Sequence, residues 1–289
     1  MVKKRELTFG LIDIPLSCSM FLEPALKKYS SYIMPISNET FQFVHEWNGA
    51  LMDVVRRPQY NPLIGEMGRK IISKTHKCKE FPAKCVDMAV DVPLQSLHYA
   101  LRFSESINFL MQKSADDRTV NFVDLGCGLS PMATAVQSQV KKSEAYCIDM
   151  PEIMDVYSDV ANKIGIPVPQ SINWDEAKSL AQSHKLDTIV AMGVFPYIEL
   201  DEQIRRLKFI NKHFPNFLVE IKYNSFEELA EPNVFTPKTL QWLRMETANA
   251  DTLETKLIQN SLRYLHNFMC AMPTGRAFLA GNRSLFFSR

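Results

Sequence analysis

The residues with chemistry in their spacing run from Val120 to Pro131, VNFVDLGCGLSP. An apolar, strand-like run carries one acid, Asp124, two residues before the first glycine. Gly126 and Gly128 let the backbone turn tightly and leave bare main chain for a ligand to approach, with Cys127 between them. Ser130 suits a helix N-cap and Pro131 the first helical position, so the turn would lead a ligand to free N–H groups at a helix N-terminus. A dinucleotide turn would place a third glycine where Pro131 stands. Asp124 would also repel a pyrophosphate. The turn therefore suits a phosphate-free ligand that carries positive charge.

Two further polar positions extend the site. Asp149 ends the next strand-like run, 21 residues after Gly128, where an acid accepts hydrogen bonds from a ribose diol. Its alternative role is to cap the helix that opens at Pro151. In INWDEAKSL an acid or amide could accept from an adenine amino group: Asp175 or Asn173, with Trp174 able to pack on the ring face. A plain helix cap is the competing role for Asn173 or Asp175. S-adenosylmethionine (SAM) answers this description, with a sulfonium and an ammonium for the acid and a carboxylate for the turn N–H groups.

These groups must be positioned by alternating elements. After residue 118, strand-like runs at Val120–Leu125, Ala145–Ile148, Thr188–Met192 and Phe217–Ile221 alternate with helix-like segments. Those are Pro131–Val140, Pro151–Ile164, Asp175–Gln182 and Leu200–Lys212. The alternation predicts an α/β fold with a parallel sheet covered on both faces. DTIVAMGV reads as a central, fully buried strand. Before residue 118 the periodicity is helical, with apolar faces over Thr40–Val55 and Leu94–Met111. The tail predicts a helix over Pro237–Gln259, then two strands, LRYLHNFMCAMP and RSLFFSR, joined through TGRAFLAGN. The division expected is a helical extension over 1–117 and a ligand-binding domain over 118–289.

Composition bounds the partners. The chain has 289 residues, 46% hydrophobic and 22% charged, with net charge +1, as in a globular protein without an overall pull toward nucleic acid or membrane. The one local basic stretch, Arg69–Lys84, is either a solvated face or a surface for an anionic substrate. Six scattered cysteines form no C-x-x-C pair, so neither a metal site nor a disulfide framework is expected, and the thiols read as cytoplasmic. Glu6, Asp13 and Pro15 interrupt the apolar part of the N-terminal segment, which is therefore not read as a signal peptide. No membrane span is expected.

Taken together, FVDLGCG, YCIDMPE, NWDEAK and LDTIVAMGVFPYI resemble the class I (Rossmann-like) SAM-dependent methyltransferases, over about residues 118–289. The resemblance implies a seven-stranded, mostly parallel, doubly wound sheet with an antiparallel last strand. It implies that Asp124, Gly126 and Gly128 contact the methionine part of SAM and that Asp149 holds the ribose. Met150 would flank the adenine, Asp175 would accept from its amino group, and Met192 and Gly193 would face the methyl donor. Val194-Phe195-Pro196-Tyr197 departs from the Asn/Asp-Pro-Pro-aromatic motif of members that methylate bases and amides. DLGCGLSPMA and FPYIELDEQ look somewhat like aminoglycoside-resistance rRNA methyltransferases. RRPQYNPLIGEMGRK and DMPEIMD look like the leucine-carboxyl and polyketide O-methyltransferases, in which a basic residue, here Arg69, would meet the SAM carboxylate.

The expected activity is methyl transfer to a small molecule, with a slight preference for oxygen. An RNA acceptor and a non-catalytic SAM-binding protein are the alternatives. No catalytic base is assigned. His213 and His266 read as structural, whereas Tyr197, Lys222 and Tyr223 follow strands at the edge where a base would stand. Two roles are open to the helical extension: a lid over the acceptor or a homodimerisation surface.

Overall fold

The computed structural model describes residues 12–30, 33, 35–76, 93–114, 119–140, 143–195, 198, 200–223, 275–280 and 284–288. The Pro237–Gln259 segment, LRYLHNFMCAMP with His266, Tyr197, and Lys77–Lys84 of the basic stretch lie outside them. The chain forms two compact units that interleave along the sequence. One comprises Met1–Asn108, Gly128–Lys141 and Asp149–Ser171, the other Phe109–Cys127, Lys142–Ile148 and Ile172–Arg289.

The first unit is mainly helical. It holds α1 (Asp13–Met20), α2 (Leu22–Lys28), α3 (Asn38–Val55), a 3-10 turn (Pro58–Tyr60), α4 (Glu66–His76) and the start of α5 (Pro93–Ser114). It also holds α6 (Met132–Gln139), α7 (Pro151–Lys163) and the short strand β3 (Gln170–Ser171). Ser37 caps α3 by accepting from the Thr40 N–H. The apolar face of α3 buries Val44, Trp47, Leu51 and Val55. Trp47 packs on Tyr157 of α7, with ring centroids 4.8 Å apart. Past the end of α3, the Arg57 guanidinium and the Tyr60 hydroxyl both donate to Asp159 Oδ2, at 2.7 and 2.8 Å. Burial and the Asp159 carboxylate push the Tyr60 hydroxyl up to about 12.

Glu105, on α5, sits where desolvation pushes its carboxyl up to about 7. Its neutral form supplies stability that is complete below the unfolded value of 4.5 and is lost as pH rises through about 7. Glu105→Gln is therefore expected to melt above the wild type near pH 8 and together with it near pH 4. Thermal unfolding across that range checks this, and parallel curves would refute it.

The second unit is an α/β layer. Its strands are β1 (Asn121–Leu125), β2 (Glu144–Ile148), β4 (Thr188–Ala191), β5 (Asn216–Tyr223), β6 (Gly275–Ala280) and β7 (Ser284–Ser288). They lie in the order β2-β1-β4-β5-β6-β7. The first three pairings are parallel, β6 is antiparallel to β5, and β7 is antiparallel to β6. All four residues of β4 are buried, as a strand covered on both faces requires. Val123, Leu125, Ile189, Ala191 and Val219 share one face of the sheet with α8 (Trp174–Gln182) and α9 (Leu200–His213). Ala177, Ala181, Leu207, Ile210 and Phe214 close over them.

Two expectations about the tail change. TGRAFLAGN is not a connection, because Gly275–Ala280 within it is strand β6, paired with both β5 and β7. Gly275 reads as loop punctuation, but it is the first residue of the strand, in register with Tyr223. Lys222 and Tyr223 do not follow the fifth strand; they are inside it, in register with Arg276 and Gly275.

Candidate functional site

The glycine turn starts where two parallel strands end in register, with Leu125 opposite Ile148. The Gly126 N–H donates to the Ile148 carbonyl at 2.7 Å, which fastens the start of the turn to β2. Gly126 has φ +72°, and a Cβ there would lie 2.6 Å from Cβ and Cγ2 of Val194. The turn therefore needs glycine for both backbone conformation and space. Gly126→Ala is expected to cost about 2 kcal/mol or more of stability, measured by denaturant titration. Adding Val194→Ala should recover part of that loss; no recovery would show that φ alone carries it.

In the first unit, the Gly128 N–H donates to Asp149 Oδ2 at 2.7 Å, and the Met150 N–H donates to Asp149 Oδ1 at 2.8 Å. Asp149 thus does not cap α7, whose N-cap position is Met150 without a side-chain cap. Burial pushes the Asp149 carboxyl up, and the two N–H donors pull it back. Each carboxylate oxygen retains a lone pair after these bonds, so the group can still accept from a diol. Met150 is 42% exposed beside it.

The expected cap of the next helix shifts. Pro131 occupies the N-cap position of α6 and Met132 is its first residue, with no side-chain cap. Pro131 has ψ 9°, so the helix begins one residue late and Ser130 falls outside capping position. The turn is held from behind instead. Ser19 Oγ and Trp47 Nε1 both donate to the Leu129 carbonyl, at 2.7 and 3.0 Å. Pro15 of α1 stands 3.5 Å from where a Gly128 Cβ would project. The motif-based reading missed Pro15, Ser19 and Trp47; nothing near them in sequence marks a partner 82 or 110 residues away.

In the second unit, Asp124 lies within β1 at 4% exposure, in register with Cys147 and Val190. It is a buried acid, not an exposed strand tip. Cys127 is buried as well, and Met192 and Gly193 (φ +76°) follow β4 half-buried. Asn173 caps α8 in a reciprocal box: it accepts from the Asp175 and Glu176 N–H groups, while Glu176 accepts from the Asn173 N–H. Asp175 is exposed and pairs with Lys178. The Trp174 ring has Arg206 over it at 5.0 Å and Phe209 edge-on at 5.8 Å. His213 ends α9 and stacks on Phe209 at 4.4 Å. Arg69 is exposed on α4, and its Nη1 donates to the Ile64 carbonyl at 2.7 Å.

No protein-family model matches the chain, and no curated protein does. Solved structures do. A SAM-dependent methyltransferase from Clostridium acetobutylicum ATCC 824 is 16% identical, with TM-score 0.35 over 51% of this chain and 61% of that one. The bifunctional kinase-methyltransferase WbdD is 17% identical, with TM-score 0.34 over 48% and 32%. PKMT2 from Rickettsia typhi, in complex with AdoHcy, is 21% identical, with TM-score 0.31 over 52% and 28%. The chain is similar in fold to SAM-dependent methyltransferases. The likeness is one of fold alone, and it spans less than two thirds of each of these proteins. No helix among the described residues is long and apolar enough to cross a membrane.

Proposed function

We propose that this chain binds SAM at the glycine turn and transfers its methyl group to a small molecule, with oxygen slightly preferred as the acceptor atom. One observation carries the reading: the acid after β2 accepts the N–H of Gly128 and keeps free lone pairs. The same carboxylate thus braces the turn and can take a ribose diol. Asp124, Gly126, Cys127 and Gly128 would meet the methionine part. Met150, Asn173, Trp174 and Asp175 would surround the adenine, and Met192 and Gly193 the methyl donor. The uncapped first turn of α6 leaves N–H donors for an anionic group of the ligand.

SAM supplies an already activated methyl on a sulfonium. The protein's task is then to align the acceptor and exclude water. The domain division at 117/118, a seven-stranded doubly wound sheet with a reversed strand, and a cytoplasmic location belong to the same reading. The antiparallel β5·β6 pairing supports the reversed strand.

The test is calorimetric titration with SAM and S-adenosylhomocysteine, with NADH as the contrast. Both sulfur ligands should bind and NADH should not; NADH binding without SAM binding would overturn the proposal. Labelled SAM incubated with cell extract then identifies the acceptor by mass. Label confined to RNA would overturn the small-molecule part.

A further inference from the structure

A second cleft lies in the first unit, where the end of α3, the turn through Asn61 and α4 meet. Its volume is about 430 Å³, in the range of small-molecule sites. Val55, Ile64 and Ile72 form apolar walls, and Arg56, Arg69 and Asn61 line it with polar donors. Val55 and Ile64 are buried, at 0% and 4% exposure, so the apolar part is continuous with the core.

The charges around this cleft are unequally matched. Asp159 takes Arg57 at 2.7 Å, and Glu66 takes Lys70 at 2.7 Å. Asp53 is shared between Lys163 at 3.3 Å and Arg56 at 3.6 Å. Arg69 forms no ion pair among the described residues. Its bond to the Ile64 carbonyl fixes the guanidinium against a residue that itself lines the cleft. That bond uses one N–H, and the others of the planar fork are left for a ligand. A guanidinium held in place, a second one half-neutralised and an apolar wall suit one kind of molecule.

We propose that this cleft binds a small anion with an apolar body. A carboxylate or phosphate would meet Arg69 and Arg56, and hydrocarbon would cover Val55, Ile64 and Ile72. The proposal is independent of the methyl-transfer reading and goes beyond it.

The test titrates the full chain with sodium octanoate, octyl phosphate and octylamine, followed by ligand-observed NMR. At least one anion should saturate below about 10 mM and the amine should not. Arg69→Gln should weaken that anion about tenfold or more, as loss of a charged hydrogen bond does. Arg56→Gln should weaken it less, because Asp53 already engages Arg56. The anion that binds more tightly names the head group. Neither anion binding, the amine binding equally, or Arg69→Gln binding with wild-type affinity would each overturn the proposal. Should Arg69→Gln fail to fold, Ile72→Glu, which places a like charge on the apolar wall, decides in its place.

SAM is titrated against the same variants, and its affinity should be unchanged. A matched loss of SAM and of the anion would put the arginines in the cofactor site and overturn a separate cleft. Failure of wild-type protein to bind SAM would count against the methyltransferase reading alone.

Discussion

Asp149→Ala is expected to lower SAM affinity by roughly tenfold to a hundredfold while leaving the protein folded at 25 °C. Two losses combine. The ribose diol loses an ionised acceptor, and hydrogen bonds to charged groups contribute about 1.5–3 kcal/mol. The Gly128 N–H also loses its partner at 2.7 Å, so the turn is less well held before the ligand arrives. Asp149→Asn separates the two, since its one oxygen can still accept from Gly128 without the charge. Calorimetry on both variants checks this. Wild-type SAM affinity in Asp149→Ala would remove the ribose role and with it the main support for the cofactor assignment. Asp124 calls for a gentler change. It is 4% exposed inside β1, so alanine would disturb the sheet as well as the ligand; Asp124→Asn keeps the shape and tests the charge.

Trp47 carries the second large effect. Trp47→Ala is expected to cost about 3–5 kcal/mol, because a fully buried indole leaves a cavity against Tyr157 that the helices fill only in part. Trp47→Phe keeps the ring packing and removes only the N–H. It leaves the Leu129 carbonyl with Ser19 as its remaining donor, at a cost of about 1 kcal/mol. It should also weaken SAM binding several-fold, since Leu129 follows the glycine whose N–H holds Asp149. Denaturant titration and SAM calorimetry well below the melting temperature check both parts. If Trp47→Phe lowers stability but leaves SAM affinity unchanged, the indole N–H supports the fold and not the site.

Much of the framework is legible along the chain because its causes are local. The runs around Phe122, Cys147, Val190 and Leu218 are apolar and short, and each becomes a strand within a residue or two of its expected ends. The helix around Trp47 follows from apolar residues at three- and four-residue steps. Errors arise where local chemistry is ambiguous. Gly275 looks like a turn residue from sequence but opens strand β6, because pairing with Tyr223 of β5 satisfies the backbone there. Ser130 has the right chemistry for a cap but stands one residue too early, because Pro131 does not take up helical ψ.

The sequence by itself determined the strand–turn–helix order, the glycine turn with Asp124 before it, and the acid that follows the second strand. These depend on neighbours a few residues apart, whose backbone preferences and apolar period act directly. Only the tertiary structure decided that Asp149 grips Gly128, that Ser19 and Trp47 meet on one carbonyl, that Val194 fills the space beside Gly126, and that Arg69 stands over an apolar cleft. Those partners are brought together by packing between separate elements, and packing depends on the shapes of whole surfaces rather than on any local pattern.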